Sequence, residues 1–194
     1  MLHAFSAISG AEIFGYVPYL VFDHLKELAD ADYDHRFYVD LTPTVQKGEN
    51  LLGGTGDQVI LVGGLGKGGM GYFALDITKP LAMGPAQVLW EFPRQGTSAE
   101  VVAEMGYSFS KPAIVECNDA TVGWIVIFGL AGAAVAVLGM FAGAGRAVLW
   151  VAHDDRLAQL VGLDEERQHG LEDEGVWRRI DAHAVLADAA GGFR

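Results

Sequence analysis

A chain of 194 residues, 51% of them hydrophobic, is long enough to bury one core or part of a larger one. Its net charge of −12 excludes the basic stripes that hold nucleic acid and opposes an anionic membrane surface. A single cysteine, Cys117, excludes an internal disulfide and a Cys-rich zinc site.

The first residues, Met-Leu-His-Ala-Phe-Ser-Ala, have neither the basic start nor the long apolar stretch of a signal peptide. They read as the inside of a strand, so the chain is expected to begin in mid-fold. Leu2 to Pro18 predicts a strand, a Ser-Gly turn and a second strand. Tyr19 to Ala31 carries Leu20, Leu25 and Leu28 with Val21 and Phe22, which predicts a short amphipathic helix. His24 and Glu27 lie one turn apart on it and read as a surface pair rather than metal ligands. His35 to Val45 reads as a strand interrupted by Thr42-Pro43.

The stretch Gln58 to Thr78 places six glycines between Gly63 and Gly71, with a β-type run on either side. Gly64, Gly66 and Gly69 spell G-x-G-x-x-G, the pattern that brings backbone amides close to a dinucleotide pyrophosphate. That chemistry needs a helix to start at the last glycine, its N-terminus facing the anion. Here Gly-Tyr-Phe-Ala-Leu-Asp-Ile-Thr follows, aromatic and β-branched, with no helical stripe. Lys67 is followed by Gly68 rather than Ser or Thr, so there is no phosphate-binding P-loop either. The loop is read as a hairpin turn that uses glycine's freedom at positive φ.

Tyr72 to Pro93 repeats the plan of the first hairpin: a β run, a linker, then Gln-Val-Leu-Trp-Glu-Phe-Pro. Gly96 to Glu104 reads as a loop or frayed helix. Met105 to Val115 resumes strand character, with Pro112 marking an edge or strand start. Thr121 to Gly145 carries no charge. It reads either as a transmembrane candidate or as a strand, Trp124 to Phe128, followed by a Gly/Ala-rich linker. Glycines at 123, 129, 132, 139, 143 and 145 favour the second reading. Ala147 to Leu163 is a third, weaker copy of the hairpin. Beyond it, residues 151–194 form an acidic tail, read as one or two solvated helices or a poorly ordered segment.

The three copies start at residues 2, 72 and 147, spacings of about 70 and 75 that exceed the ~40–50 residues of one propeller blade. A repeated β unit with insertions is therefore expected. No catalytic, cofactor or metal residue is assigned. The histidines at 3, 24, 35, 153, 169 and 183 form no H-E-x-x-H, and Cys117 sits beside Asn118 and Asp119 in a predicted turn. Ser108 and Ser110 lack a G-x-S-x-G elbow. Trp90, Trp124 and Trp150 read as packing residues, and Asp40 and Asp76 as acceptors for turn amides.

The segments MLHAF (1–5), Gly10-Ala11-Glu12 with YVP (16–18), HRFYVD (35–40) and LVGGLGKGGMGYFALDIT (61–78) recur in one family. So do LWEF (89–92), MGYSFSKP (105–112), GWIVIFG (123–129) and GRAVLW (145–150). In order and spacing the chain resembles the β-propeller domain of the PilY/PilC family of type IV pilus tip adhesins, over about residues 1–150. The resemblance implies a mainly β, incomplete propeller of roughly two and a half blades, with one inserted helix near 19–31. It implies non-enzymatic work in pilus assembly and adhesion at the cell surface, with pilus components and host or surface ligands as partners. The family also implies Ca²⁺ held by alternating Asp/Asn residues with a turn glycine. No counterpart exists here: His153-Asp154-Asp155, Asp164 to Glu166 and Glu172 to Glu174 lack that spacing.

Two alternatives stand beside this reading. One is a quinoprotein dehydrogenase-like propeller using pyrroloquinoline quinone and calcium. The other is a small membrane-anchored protein spanning at 121–145. An open propeller is further expected to leave Leu2, Phe5, Phe14, Trp124, Leu149 and Trp150 on exposed inter-blade faces, favouring self-association.

Overall fold

A computed structural model describes residues 1–93, 99, 102, 105–116, 124–130, 134–142, 146–152 and 183–186, with side chains through residue 129. Within these residues the strands form three antiparallel sheets of two, four and five strands. The two-stranded sheet pairs β1 (Leu2–Phe5) with β2 (Glu12–Tyr16), as the first expected hairpin requires. Its turn closes with Ser6 and Ala11 bonded through their backbones and Gly10 at φ 73°.

The expected helix is built from three short pieces: a 3₁₀ turn at Tyr19–Val21, α1 at Phe22–Leu25, and a second 3₁₀ turn at Lys26–Ala29. Val21 is their only buried side chain. With so narrow an apolar stripe, nothing holds a longer helix in place.

The four-stranded sheet runs β3 (Thr44–Glu49), β4 (Asp57–Gly64), β5 (Tyr72–Asp76) and β6 (Val88–Phe92) as a meander in chain order. The hairpin expected across the Gly-rich loop is present, with Val62 opposite Ala74 and Gly64 opposite Tyr72. Strand β4 continues through Gly63 and Gly64, so the loop is shorter than the glycine count implies. The strand expected over His35 to Val45 is corrected: β3 starts only at Thr44 and runs to Glu49. Ahead of the Thr42-Pro43 break the backbone is irregular, because Asp40 and Leu41 direct their amides at the carbonyls of Leu65 and Gly64.

The five-stranded sheet runs β11–β10–β9–β8–β7, with β7 at Ala113–Glu116, β8 at Trp124–Leu130, β9 at Ala134–Ala142, β10 at Arg146–Ala152 and β11 at His183–Leu186. Strand β7 is an edge strand that begins directly after Pro112, as expected, but Met105 to Pro112 is irregular apart from one bridge. The uncharged run 121–145 holds two paired strands, β8 and β9, where a strand and a Gly/Ala-rich linker were expected. Glycine and alanine are poor strand formers, but in β9 Val135 and Val137 alternate with alanines, which suits a ladder. No helix of the described residues is long and apolar enough to cross a membrane. The second strand of the third hairpin copy lies outside the described residues. So does most of the acidic tail, where His183–Leu186 is a strand on β10 rather than helix.

The three echoes are thus not equivalent. The excess length ahead of the second copy is a half-blade: β3 and β4 join β5 and β6 in a four-stranded unit of the kind that builds propellers. The fold class expected from the sequence, antiparallel and mainly β with a short helical insert, is the one observed.

Side chains alternate across β4 and β5. Ile60, Val62, Tyr72 and Ala74 face the five-stranded sheet, where they pack with Ile114, Val126 and Phe128. Leu61, Phe73 and Leu75 face the other way and are covered by Leu2, Phe14 and Tyr16 of the first hairpin. Burying each large apolar side chain is worth about 1.5–3 kcal/mol. This corrects the expectation of bare inter-blade residues. Leu2 and Phe14 cover one face and Trp124 packs on the other, whereas Phe5 is 59% exposed. The side chains of Leu149 and Trp150 lie outside the described residues.

Gly63 and Gly64 are in the strand because aromatic rings take the space their side chains would fill. A Cβ on Gly63 would collide with the Phe73 ring, and one on Gly64 would meet Leu41 Cδ2 at 2.7 Å and Tyr72 Cδ1 at 3.0 Å. Gly63→Ala is expected to cost about 1–3 kcal/mol by overpacking. In a Phe73→Leu background, where no ring lies over the site, the added cost of the alanine should be much smaller. Urea unfolding of the four variants measures the coupling; additive costs would contradict this packing.

Candidate functional site

The densest polar construction lies where the β4–β5 loop meets two other segments. The loop closes on itself: Gly68 N–H donates to Leu65 O at 2.8 Å and Leu65 N–H to Gly71 O at 3.0 Å. Gly66 sits at φ 57°, a left-handed conformation that glycine adopts without strain. Leu65 is buried beneath, while Lys67 and Met70 project outward.

Residues 38–41 cross one side of this loop. Asp40 N–H donates to Leu65 O at 3.1 Å and Leu41 N–H to Gly64 O at 3.4 Å. The Tyr38 carbonyl lies so close to Gly68 that no Cβ fits there. Lys67 Nζ stands 5.1 Å from the centre of the Phe37 ring. On the other side Ser108 is buried. Its hydroxyl donates to Gly69 O at 2.9 Å and accepts from Gly71 N–H at 3.1 Å, while its own N–H donates to Gly69 O at 3.2 Å. Ser108 is therefore a clamp on the loop. Its neighbours Tyr107 and Phe109 are more than half exposed and stack at 5.9 Å.

Two further ties join the sheets. Tyr72 stacks on Phe128 at 4.1 Å, and its hydroxyl faces the carbonyls of Ser110 at 3.0 Å and Gly129 at 3.1 Å. Glu91 on β6 accepts from the Tyr16 hydroxyl. It also accepts from Tyr19 N–H at 2.8 Å and Leu20 N–H at 3.1 Å. It thereby joins the first hairpin and the helical insert to the four-stranded sheet. Burial pushes the Tyr72 phenol well above its ordinary range. Burial, then the Glu91 carboxylate, does the same to Tyr16.

The residues singled out in the sequence are dispersed. Glu27 pairs with His24 at 2.9 Å, the expected surface pair, with Arg36 joining them. His3 pairs with Glu12 at 2.6 Å across β1 and β2. Asp76 Oδ1 accepts from Thr78 N–H at 2.9 Å, as a turn acceptor should. Asp40 acts through its backbone amide instead. Trp90 and Trp124 pack against the core. Cys117, His153, His169 and the acidic clusters beyond residue 152 lie outside the described residues, as does the side chain of His183. Among the described residues no group of three or more His, Cys, Asp or Glu side chains could hold a metal ion. The donor set there does not fit the calcium loop that the family resemblance implies.

Sequence reasoning missed Tyr16, Glu91 and the clamp role of Ser108. A carboxylate inside the apolar run Val-Leu-Trp-Glu-Phe was the available signal, since such a group must find donors. For Ser108 no local pattern exists, because its partners lie 37 to 39 residues away.

The family model described as the PilY1 beta-propeller domain matches residues 4–156. A type IV pilus biogenesis factor PilY1 homolog of Xylella fastidiosa (strain Temecula1) is 38% identical over 175 residues, covering 90% of this chain and 10% of that protein. Type IV pilus biogenesis factor PilY1 of Pseudomonas aeruginosa (strain UCBPP-PA14) is 36% identical over 132 residues, covering 66% of this chain and 10% of its own length. The chain thus spans about a tenth of the curated relatives it matches. The crystal structure of the Pseudomonas aeruginosa PilY1 C-terminal domain aligns with 75% of this chain and 30% of that chain, at 24% identity and a TM-score of 0.48.

Ser108→Ala leaves the buried Gly71 amide without its acceptor and is expected to cost about 1–3 kcal/mol in chemical denaturation. Ser108→Thr, which keeps the hydroxyl, should recover part of that. The two raised phenols give a second expectation. Each stays protonated in the fold at a pH where the unfolded chain ionises near pH 10. Their stabilisation is therefore complete below about pH 10 and is lost as pH rises further. Stability measured between about pH 9 and 11 should fall less steeply in Tyr16→Phe/Tyr72→Phe than in the parent chain; parallel slopes would refute this.

Proposed function

Because the chain belongs to the PilY1 β-propeller family, we propose that it serves type IV pilus biogenesis as a non-enzymatic binding module. Its work is to present a rigid surface to pilus components, and in adhesion to a host or other external surface. The observation that carries this reading is the match to proteins named type IV pilus biogenesis factors at 36–38% identity. The geometry is in keeping with it. The polar groups that converge, Ser108, Glu91 and Tyr72, are spent on backbone partners and, for Glu91, on the Tyr16 hydroxyl as well. None is left beside a general base as a nucleophile would be. With no alternating Asp/Asn loop in the sequence, the module is proposed to act without a calcium ion of its own. The site of action is the cell surface or pilus.

The test is a chimera. The matching segment of the Pseudomonas aeruginosa relative is replaced by this chain, and surface pili and attachment to an abiotic surface are measured in a strain lacking that relative. Restored piliation is expected. Attachment restored alongside it supports the adhesive role, and piliation without attachment limits the module to assembly. A chimera that reaches the surface in normal amount yet leaves the cells without pili would overturn the proposal.

A further inference from the structure

Residues 22–38 are joined to the rest of the molecule in an unusual way. No side chain among them is buried. The chain is anchored just before this stretch by Val21, 1% exposed, and just after it by Val39 and Leu41, which pack against the two cores. Between the anchors the segment is held by polar contacts at its surface. Arg36 Nη1 lies 2.9 Å and 2.7 Å from the two Glu27 oxygens and 2.6 Å from His24 Nδ1. The Tyr38 hydroxyl donates to His24 O at 3.2 Å, and the Tyr33 hydroxyl accepts from Arg36 N–H at 3.0 Å. The segment touches the β4–β5 loop through the Phe37 ring under Lys67 and the Tyr38 carbonyl against Gly68.

We infer that residues 22–38 form a flap, hinged at Val21 and Val39, whose two limbs are tied to each other by the Arg36–Glu27–His24 latch, so that Phe37 and Tyr38 are held over Lys67 and Gly68 at the tip of the Gly-rich hairpin. Exposed ion pairs contribute at most about 1 kcal/mol, and local opening free energies are smallest where apolar anchoring is absent. The flap therefore opens while both cores stay folded, and it uncovers Lys67 and the Gly68 backbone. The latch converges on one guanidinium nitrogen, Arg36 Nη1, which lies within hydrogen-bond distance of both Glu27 carboxylate oxygens and of His24 Nδ1. Opening and closing would switch the hairpin tip between covered and uncovered without altering the sheets.

Native-state hydrogen exchange on the whole chain tests this. Amides of the flap, including that of Asp30, which donates to Glu27 O at 3.1 Å, should exchange well ahead of those in β4 and β5. Arg36→Gln should speed flap exchange by about two- to fivefold and leave β4 and β5 unchanged. Lys47→Gln, which removes the exposed 2.5 Å pair with Asp57 elsewhere, should change neither. The swapped pair Glu27→Arg/Arg36→Glu should return flap exchange toward the parent rate, and about 0.5 M salt should weaken the latch in the parent chain. Three results would each overturn the flap: its amides exchanging as slowly as those of β4 and β5, no response to Arg36→Gln, or a swapped pair as fast as Arg36→Gln alone.

Discussion

Strand β5 carries two adjacent aromatic rings that point in opposite directions, and the three sheets depend on them. Neighbours on a strand face opposite sides. Tyr72 therefore reaches the five-stranded sheet, stacking on Phe128 with its hydroxyl at Ser110 and Gly129. Phe73 reaches the first hairpin and meets the Tyr16 ring at 5.1 Å. Each ring also needs room on β4, and Gly63 and Gly64 supply it. A strand interior normally disfavours glycine. Here the ring covers the bare backbone and recovers apolar burial that a glycine pair would otherwise forgo.

The same glycines set the start of the loop, which explains why the polar ties gather there. A loop that leaves a sheet between two packed layers carries backbone groups away from water. Each such group needs a partner. Ser108 supplies one to Gly71 and Gly69, and Asp40 and Leu41 supply others to Leu65 and Gly64. Ser108 and the two residues Asp40 and Leu41 come from segments that are irregular because their hydrogen bonds are spent on the loop. Irregularity at 35–43 and 105–112 and order at the hairpin tip are two sides of one hydrogen-bond balance.

This is where the sequence was legible and where it was not. The β4–β5 hairpin could be read because both flanking runs are β-formers and six glycines cluster between them. The first hairpin could be read because a Ser-Gly turn separates two β-type runs. Strand β3, Thr-Val-Gln-Lys-Gly-Glu, could not: four of its six residues are polar and it carries a glycine, so only its pairing with β4 makes it a strand. Strand β9 reads as linker in sequence because its alanines and Gly139 hide an alternation that the ladder to β8 reveals. Glu91 and Ser108 act over 71 to 75 and 37 to 39 residues, distances that no local pattern spans.

The charge of −12 and the packing divide the molecule's work. Among the described residues the two cores around β4 and β5 contain no buried charge, so their stability rests on apolar area and shape and responds little to salt. Charge is carried by the periphery, and in the 22–38 stretch, where no side chain is fully buried, an ion-pair cluster ties the two limbs together. A surface built this way keeps its framework fixed while the elements at its rim respond to ionic conditions and to a partner's charge.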